Sequence, residues 1–249
     1  MPQRWRPNVG PNMGPHMGPN MGPNMGKAVS RRRRRPALAK APRAVPFRCR
    51  LVIMAKAPIA GAAKTRLAAE IGVAEATRFA RQASAALLVR LGQDPRWQTI
   101  LAVSPDSYAD SPIWPCTCVR RSQGRGDLGQ RMQRQFAAHG RGPLIIVGTD
   151  IPALNRAHIA TAFRLLGRCD AVFGPALDGG YWLVGLRRRP HLIRPFRRVR
   201  WSGPQALSDT LANVCGRAVG FLPRLGDVDS AAAYKICAHQ LGRRLLPRS

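Results

Sequence analysis

Short apolar runs alternate along the chain with longer amphipathic stretches. Leu51 to Ala55, Thr99 to Val103, Leu144 to Val147 and Ala171 to Phe173 are brief and almost wholly apolar, the pattern of strands buried on both faces of a parallel sheet. Between them the pattern predicts a helix from about Val73 to Leu91, one entered through Asp127 as a natural N-cap, and one capped by Asn155 and running to about Gly167. A short strand is expected around Cys116 to Val119, and another from Tyr181 to Leu186, after the loop Gly174 to Gly180. This β-α-β-α-β order predicts an α/β fold with a single three-layer, doubly wound, mostly parallel sheet. Ligands of such sheets bind beyond the carboxyl ends of the strands.

The first 48 residues carry no such pattern. From Gly10 to Met25 the tetrapeptide Gly-Pro-(Asn/His)-Met repeats four times, and Arg31 to Arg35 follow. That composition cannot bury a core, so residues 1–48 read as a disordered basic extension and 49–249 as one domain. The formal charge is +29, with 12 Lys/Arg and no acid in the first 50 residues, leaving 29 basic residues against 12 acids beyond. The extension could be drawn weakly to anionic surfaces. Specific nucleic-acid binding is not predicted, because the 36 Arg against 5 Lys suggest a compositional bias and no nucleic-acid module is recognisable. No apolar run reaches the length of a membrane span. The six cysteines form no CxxC pair, consistent with reduced thiols in a cytoplasmic protein.

Chemistry concentrates after the first strand. Lys56-Ala-Pro58-Ile-Ala-Gly61-Ala-Ala-Lys64-Thr-Arg66 places a Pro/Gly loop and three cations where a strand ends, an arrangement suited to a diphosphate. A P-loop is excluded, since Ala63 and Pro58 stand where that motif requires glycine. Both glutamates, Glu70 and Glu75, fall on or beside the first helix, so acid chemistry passes to aspartates. Asp150 follows a buried strand at the same sheet edge and is the leading candidate to hold a hard divalent cation. Asp178, before two glycines, reads locally as a hairpin turn. Asp227 and Asp229 could each cap the following helix or bind metal, and the sequence does not separate them. No histidine has zinc-protease spacing.

Six motifs in order complete the picture: Lys56-x-Pro58-x-x-Gly61-x-x-Lys64-Thr-Arg66-Leu67, Gln123-Gly124-x-x-Asp127-Leu-Gly-x-Arg131, Gly148-Thr-Asp150-x-Pro152, Gly174-Pro-x-x-Asp178-Gly179-Gly180-Tyr181, Trp201-Ser202 and Asp227-Val-Asp229. With them the chain resembles the bacterial DUF2064 family of GT-A-like glycosyltransferases, within the nucleotide-diphospho-sugar transferase superfamily. The resemblance implies a nucleotide site formed by Ala55, Lys56, Pro58, Gly61, Lys64, Arg66 and Asp127, with Ser104, Gln123 and Gly124 near base or ribose. It makes Asp150 the metal aspartate, with Asp229 or Asp227 as partner and Mg²⁺ or Mn²⁺ as the ion. Asp178, Gly179, Gly180, Tyr181 and Trp201 would face sugar or acceptor. One departure is Ala231-Ala-Ala-Tyr234, where the family usually carries further acids. The implied activity is metal-dependent transfer of a sugar from a nucleoside-diphosphate sugar to a small-molecule acceptor. Lys64 and Arg66 would neutralise the leaving diphosphate, and Asp178 is the candidate base if transfer inverts the anomeric centre. The alternatives are nucleotidyl transfer to a phosphorylated small molecule and non-catalytic binding of a nucleotide or nucleic acid.

Overall fold

The computed structural model describes residues 48–114, 118–228 and 230–236. The repeat and arginine run of the basic extension, Cys116 and the candidate ligand Asp229 lie outside the described residues. Among these, seven strands form one sheet: β1 (Arg50–Lys56), β2 (Gln98–Ser104), β3 (Val119–Ser122), β4 (Leu144–Gly148), β5 (Ala171–Pro175), β6 (Tyr181–Leu186) and β7 (Val219–Phe221). Their order is β3-β2-β1-β4-β6-β5-β7. Neighbours are parallel except at β6, which runs antiparallel to both β4 and β5. The expected mostly parallel α/β sheet is therefore what forms, with one reversed strand inside it.

The helices are α1 (Thr65–Ile71), α2 (Val73–Gly92), α3 (Leu128–Ala138), α4 (Arg156–Leu166) and α5 (Ala206–Ala212). Alternation along β1 sorts its side chains into two cores. Leu51, Ile53 and Ala55 pack with Leu88 and Leu91 of α2 and Ile159 and Leu166 of α4. Val52 packs in the other core, with Met132 and Phe136 of α3 and with Phe196 and Val214. The result is three layers, helix on sheet on helix. Asp127 and Asn155 both cap as the sequence indicates, each in a reciprocal capping box. No helix among the described residues is long and apolar enough to cross a membrane.

Four elements differ from expectation, one being α5, which the sequence pattern does not predict. The strand placed around Cys116 to Val119 is described only from Val119, and it continues through Arg120 and Arg121 to Ser122. As an edge strand paired only with β2, it needs no apolar run. A separate helix, α1, precedes α2, the two being divided at Gly72. The three-residue β7 extends the opposite edge beside β5, too short to register as a pattern.

Opposite the carboxyl ends of the parallel strands, arginines close off the end of α3. Arg50 donates from Nη1 to the carbonyls of Gly140 (3.1 Å) and Arg141 (2.8 Å), and Arg188 donates to those of His139 and Gly142. Cations at a helix carboxyl end are favoured by its dipole. His139 is trapped among them, and its Nε2 is buried without a partner. Desolvation first, then Arg121, Arg188 and Arg50, pull its pKa down to about 4. The unfolded chain, with an ordinary value of 6.5, binds this proton more readily, so His139 withdraws stability as pH falls from about 6.5 to 4. Urea midpoints measured across that window are expected to drop more for the wild type than for His139→Gln.

Candidate active site

The carboxyl ends of β1 and β4 open into a cavity of 540 Å³ that also takes in the start of β6, the first turns of α3 and the segment 201–206. This is where an open α/β sheet offers its ligand crevice. The lining is divided in character. Lys56, Lys64, Arg66, Asp150 and Asp227 supply charge. Leu128, Met132, Tyr181 and Trp201 supply carbon, and Asp178, three residues before Tyr181 in the β5–β6 turn, joins them.

Lys64 caps α1 in a left-handed backbone conformation (φ 53°) that non-glycine residues seldom adopt. Its side chain is only 7% exposed, and Nζ lies 3.0 Å from Asp150 Oδ1. The same ammonium donates to the carbonyl of Val228 at 2.9 Å. Val228 N–H in turn donates to the Asp150 carbonyl at 3.2 Å, tying the end of β4 to the carboxyl-terminal segment. That segment is fastened to α1 and α2. Ala231 N–H donates to Glu70 Oε2 at 2.8 Å, Tyr234 Oη donates to Glu75, and the Tyr234 ring meets Phe79 edge-on at 5.3 Å. Both glutamates of the chain thus serve to hold residues 230–234 against the helices that present Lys64 and Arg66.

Gln123 reaches the cavity but its amide is committed: Nε2 donates to the carbonyls of Ala55 (3.1 Å) and Ala102 (2.9 Å), cross-bracing β1 and β2. The loop that follows is held from α3. Arg134 donates to the carbonyls of Gln123 and Arg125, and Arg131 to that of Gly126. Gly124 N–H donates to Asp106 Oδ1, while Asp127 receives Gln130 N–H as the helix cap. Arg131 also donates to Ser104 Oγ at 3.4 Å.

At the other wall Asp178 Oδ1 accepts Gly180 N–H at 2.9 Å, closing the turn between β5 and β6. The turn read from the sequence is there, and the carboxylate also lines the cavity. Tyr181 is nearly buried, which pushes its phenol well above the ordinary range despite a hydrogen bond from Thr210. It stays protonated. Trp201 packs against Phe196 and over Gly129 at the start of α3.

Of the residues singled out in the sequence, Lys56, Lys64, Arg66, Gln123, Asp150, Asp178, Gly180, Tyr181, Trp201 and Asp227 line this one cavity. Ala55, Pro58, Gly61, Ser104, Gly124, Asp127 and Gly179 are not part of its lining. Ser84, which the sequence reading passed over, also lines it, as do Leu128, Thr149 and Ser202, which stand in the quoted motifs without an assigned role. Two of them carried a signal: Ser84 is a polar residue buried on the apolar face of α2, and Leu128 an exposed apolar residue beside a cap. Among the described residues no three carboxylate, imidazole or thiolate side chains gather into a metal centre. Asp150 and the carbonyl of Val228 nevertheless already hold a cation, the Lys64 ammonium. Oxygen donors of this kind suit Mg²⁺ or Mn²⁺.

Residues 87–203 match a family described as an uncharacterized protein conserved in bacteria, DUF2064. The match covers 117 of the 249 residues of the chain. The matched span contains Gln123, Asp150, Asp178 and Trp201, whereas Lys56, Lys64, Arg66 and Asp227 lie outside it. No curated protein matches the chain. Among solved structures it is similar to a candidate nucleotide-diphospho-sugar transferase from Desulfovibrio desulfuricans G20, at 25% identity and a TM-score of 0.72, over 82% of this chain and 92% of that one. More distant likenesses show the shared fold. One is 4-diphosphocytidyl-2C-methyl-D-erythritol synthase from Anaerococcus prevotii, with 8% identity, a TM-score of 0.52 and coverage of 79% and 99%. Another is glucosyl-3-phosphoglycerate synthase from Mycobacterium tuberculosis, solved with Mn²⁺, UDP and glucosyl-3-phosphoglycerate, with 10% identity, a TM-score of 0.50 and coverage of 82% of each chain. The chain shares its fold with these nucleotide-diphospho-sugar transferase structures.

Proposed function

We propose that this protein transfers a sugar from a nucleoside-diphosphate sugar to a small-molecule acceptor with the help of Mg²⁺ or Mn²⁺. The observation that carries the reading is one cavity that gathers Lys56, Lys64, Arg66 and two carboxylates with Tyr181 and Trp201; in this reading the cations serve a charged donor side and the aromatic residues an acceptor side. The likeness to the Desulfovibrio desulfuricans protein, which spans most of both chains, supports it.

Asp150 would hold the ion, with Asp227 or Asp229 as its partner. When bound, such an ion stabilises negative charge on the departing diphosphate. Lys56 and Arg66 share that task as exposed cations beside the strand ends. Tyr181 and Trp201 would offer faces to the sugar or acceptor, and the apolar lining between them would keep water from the donor. An inverting transfer needs a base, and Asp178 is the carboxylate on that side of the cavity. Its Oδ1 is engaged by Gly180 N–H, leaving Oδ2 to accept the acceptor proton.

A thermal-shift screen of nucleotide sugars and nucleoside triphosphates, each with and without Mn²⁺, tests the reading. Stabilisation by one nucleotide sugar in a metal-dependent manner is expected, followed by transfer of its sugar. Preference for a triphosphate, with pyrophosphate release and no sugar transfer, would instead assign nucleotidyl transfer. Binding without any turnover, falling steeply with salt, would assign a non-catalytic binder.

A further inference from the structure

We propose that Lys64 is an internal counter-cation that keeps a divalent ion off Asp150 in the ligand-free protein. The proposal rests on the reading of Asp150 as a metal ligand. Its starting point is the pair of oxygens around Nζ: a carboxylate oxygen at 3.0 Å and the Val228 carbonyl at 2.9 Å. Those are the donor types a hard divalent cation takes, here filled by the chain's own ammonium.

The arrangement does not depend on Lys64 to hold its oxygens together. The hydrogen bond from Val228 N–H to the Asp150 carbonyl spans the same gap through backbone alone. The carboxyl-terminal segment is separately anchored by Glu70, Glu75 and the ring pair Phe79–Tyr234. Asp150 itself remains open to solvent, its side chain 55% exposed, so an ion can approach it. What opposes the ion is charge. An ammonium at contact distance, almost wholly shielded from water, repels a divalent cation on the same carboxylate far more strongly than a solvated lysine would. Ion and ammonium therefore exclude each other at Asp150.

A diphosphate changes the balance, because it offers Lys64 more negative charge than one carboxylate does. Drawing Lys64 away frees Asp150, so ion and diphosphate favour each other's binding, and by linkage the favour is mutual. In this scheme the protein binds divalent metal weakly by itself and avoids holding an ion in an empty site. Lys64 contributes to both states.

The discriminating measurement is Mn²⁺ alone, without nucleotide, titrated into the full chain and followed by the electron paramagnetic resonance of free Mn²⁺. Lys64→Met and Lys64→Gln, the second retaining a donor for Val228, are expected to bind Mn²⁺ about 10-fold more tightly than the wild type or better. Adding Asp150→Asn to either variant should abolish the gain. If both variants bind Mn²⁺ no more tightly than the wild type, while Asp150→Asn alone weakens binding, the exchange is overturned and the metal reading of Asp150 stands. If neither wild type nor variants bind Mn²⁺ at Asp150, both fall together.

Discussion

Asp150→Asn is expected to reduce sugar transfer by about 10²–10³-fold at saturating donor, the scale on which loss of one preorganised charge-stabilising group acts in enzymes. Asn preserves the size of the side chain and can still meet Lys64, but it removes the negative charge that an ion would need. The fold should survive, because Asp150 is half exposed and water can replace much of what the ion pair with Lys64 contributed. A stability loss of about 1 kcal/mol is anticipated, as for ion pairs with one solvated partner. Transfer assays with the donor found by thermal shift, run beside urea melts of the same samples, separate the two effects. Retention of full turnover in the variant would remove Asp150 from the chemistry, and lost turnover together with loss of the metal-dependent part of donor binding is the outcome that fits a metal position.

How much of this site could be read from the chain depends on the kind of signal each part emits. Buried strands such as β1 and β4 announce themselves because both faces must be apolar, and the caps Asp127 and Asn155 do so because orphan helix amides need a side-chain acceptor. Their carboxyl ends then fix where Lys64, Arg66 and Asp150 emerge. Edge elements give no such signal: β3 contains Arg120 and Arg121, and β7 has three residues. Long-range polar contacts are silent as well. Nothing local shows that Glu70 and Glu75 grip a segment some 160 residues onward, at separations of 161 and 159. Nor does local sequence reveal that Lys64 turns to Asp150. Gln123 illustrates a mixed case, placed correctly near the strand ends yet using its amide to brace Ala55 and Ala102.

Gly179→Ala should be the most damaging single methyl that can be added near the cavity. Two glycines after Asp178 suggest a backbone that a ligand approaches, yet the neighbour at Gly179 is protein. A Cβ there would lie 2.3 Å from the Pro204 carbonyl oxygen and 2.6 Å from its Cα, at a backbone φ of +86°. Both obstacles are backbone, so neither can rotate aside. The Gly179 carbonyl also accepts Leu207 N–H at 3.1 Å, which holds the start of α5 to the turn. Overpacking of this kind together with an unfavourable φ costs about 3 kcal/mol. Gly61→Ala is the matched control, sharing a positive φ of +74° but meeting nothing within 4 Å. It should cost about 1 kcal/mol, the conformational part alone. Since Trp201, Ser202, Gly203 and Ala206 line the cavity on the segment that Gly179 touches, forcing that segment outward should raise the KM for acceptor and leave the nucleotide affinity nearly unchanged. If Gly179→Ala instead weakened nucleotide and acceptor equally, the two-sided division of the cavity into a charged donor side and an apolar acceptor side would be wrong.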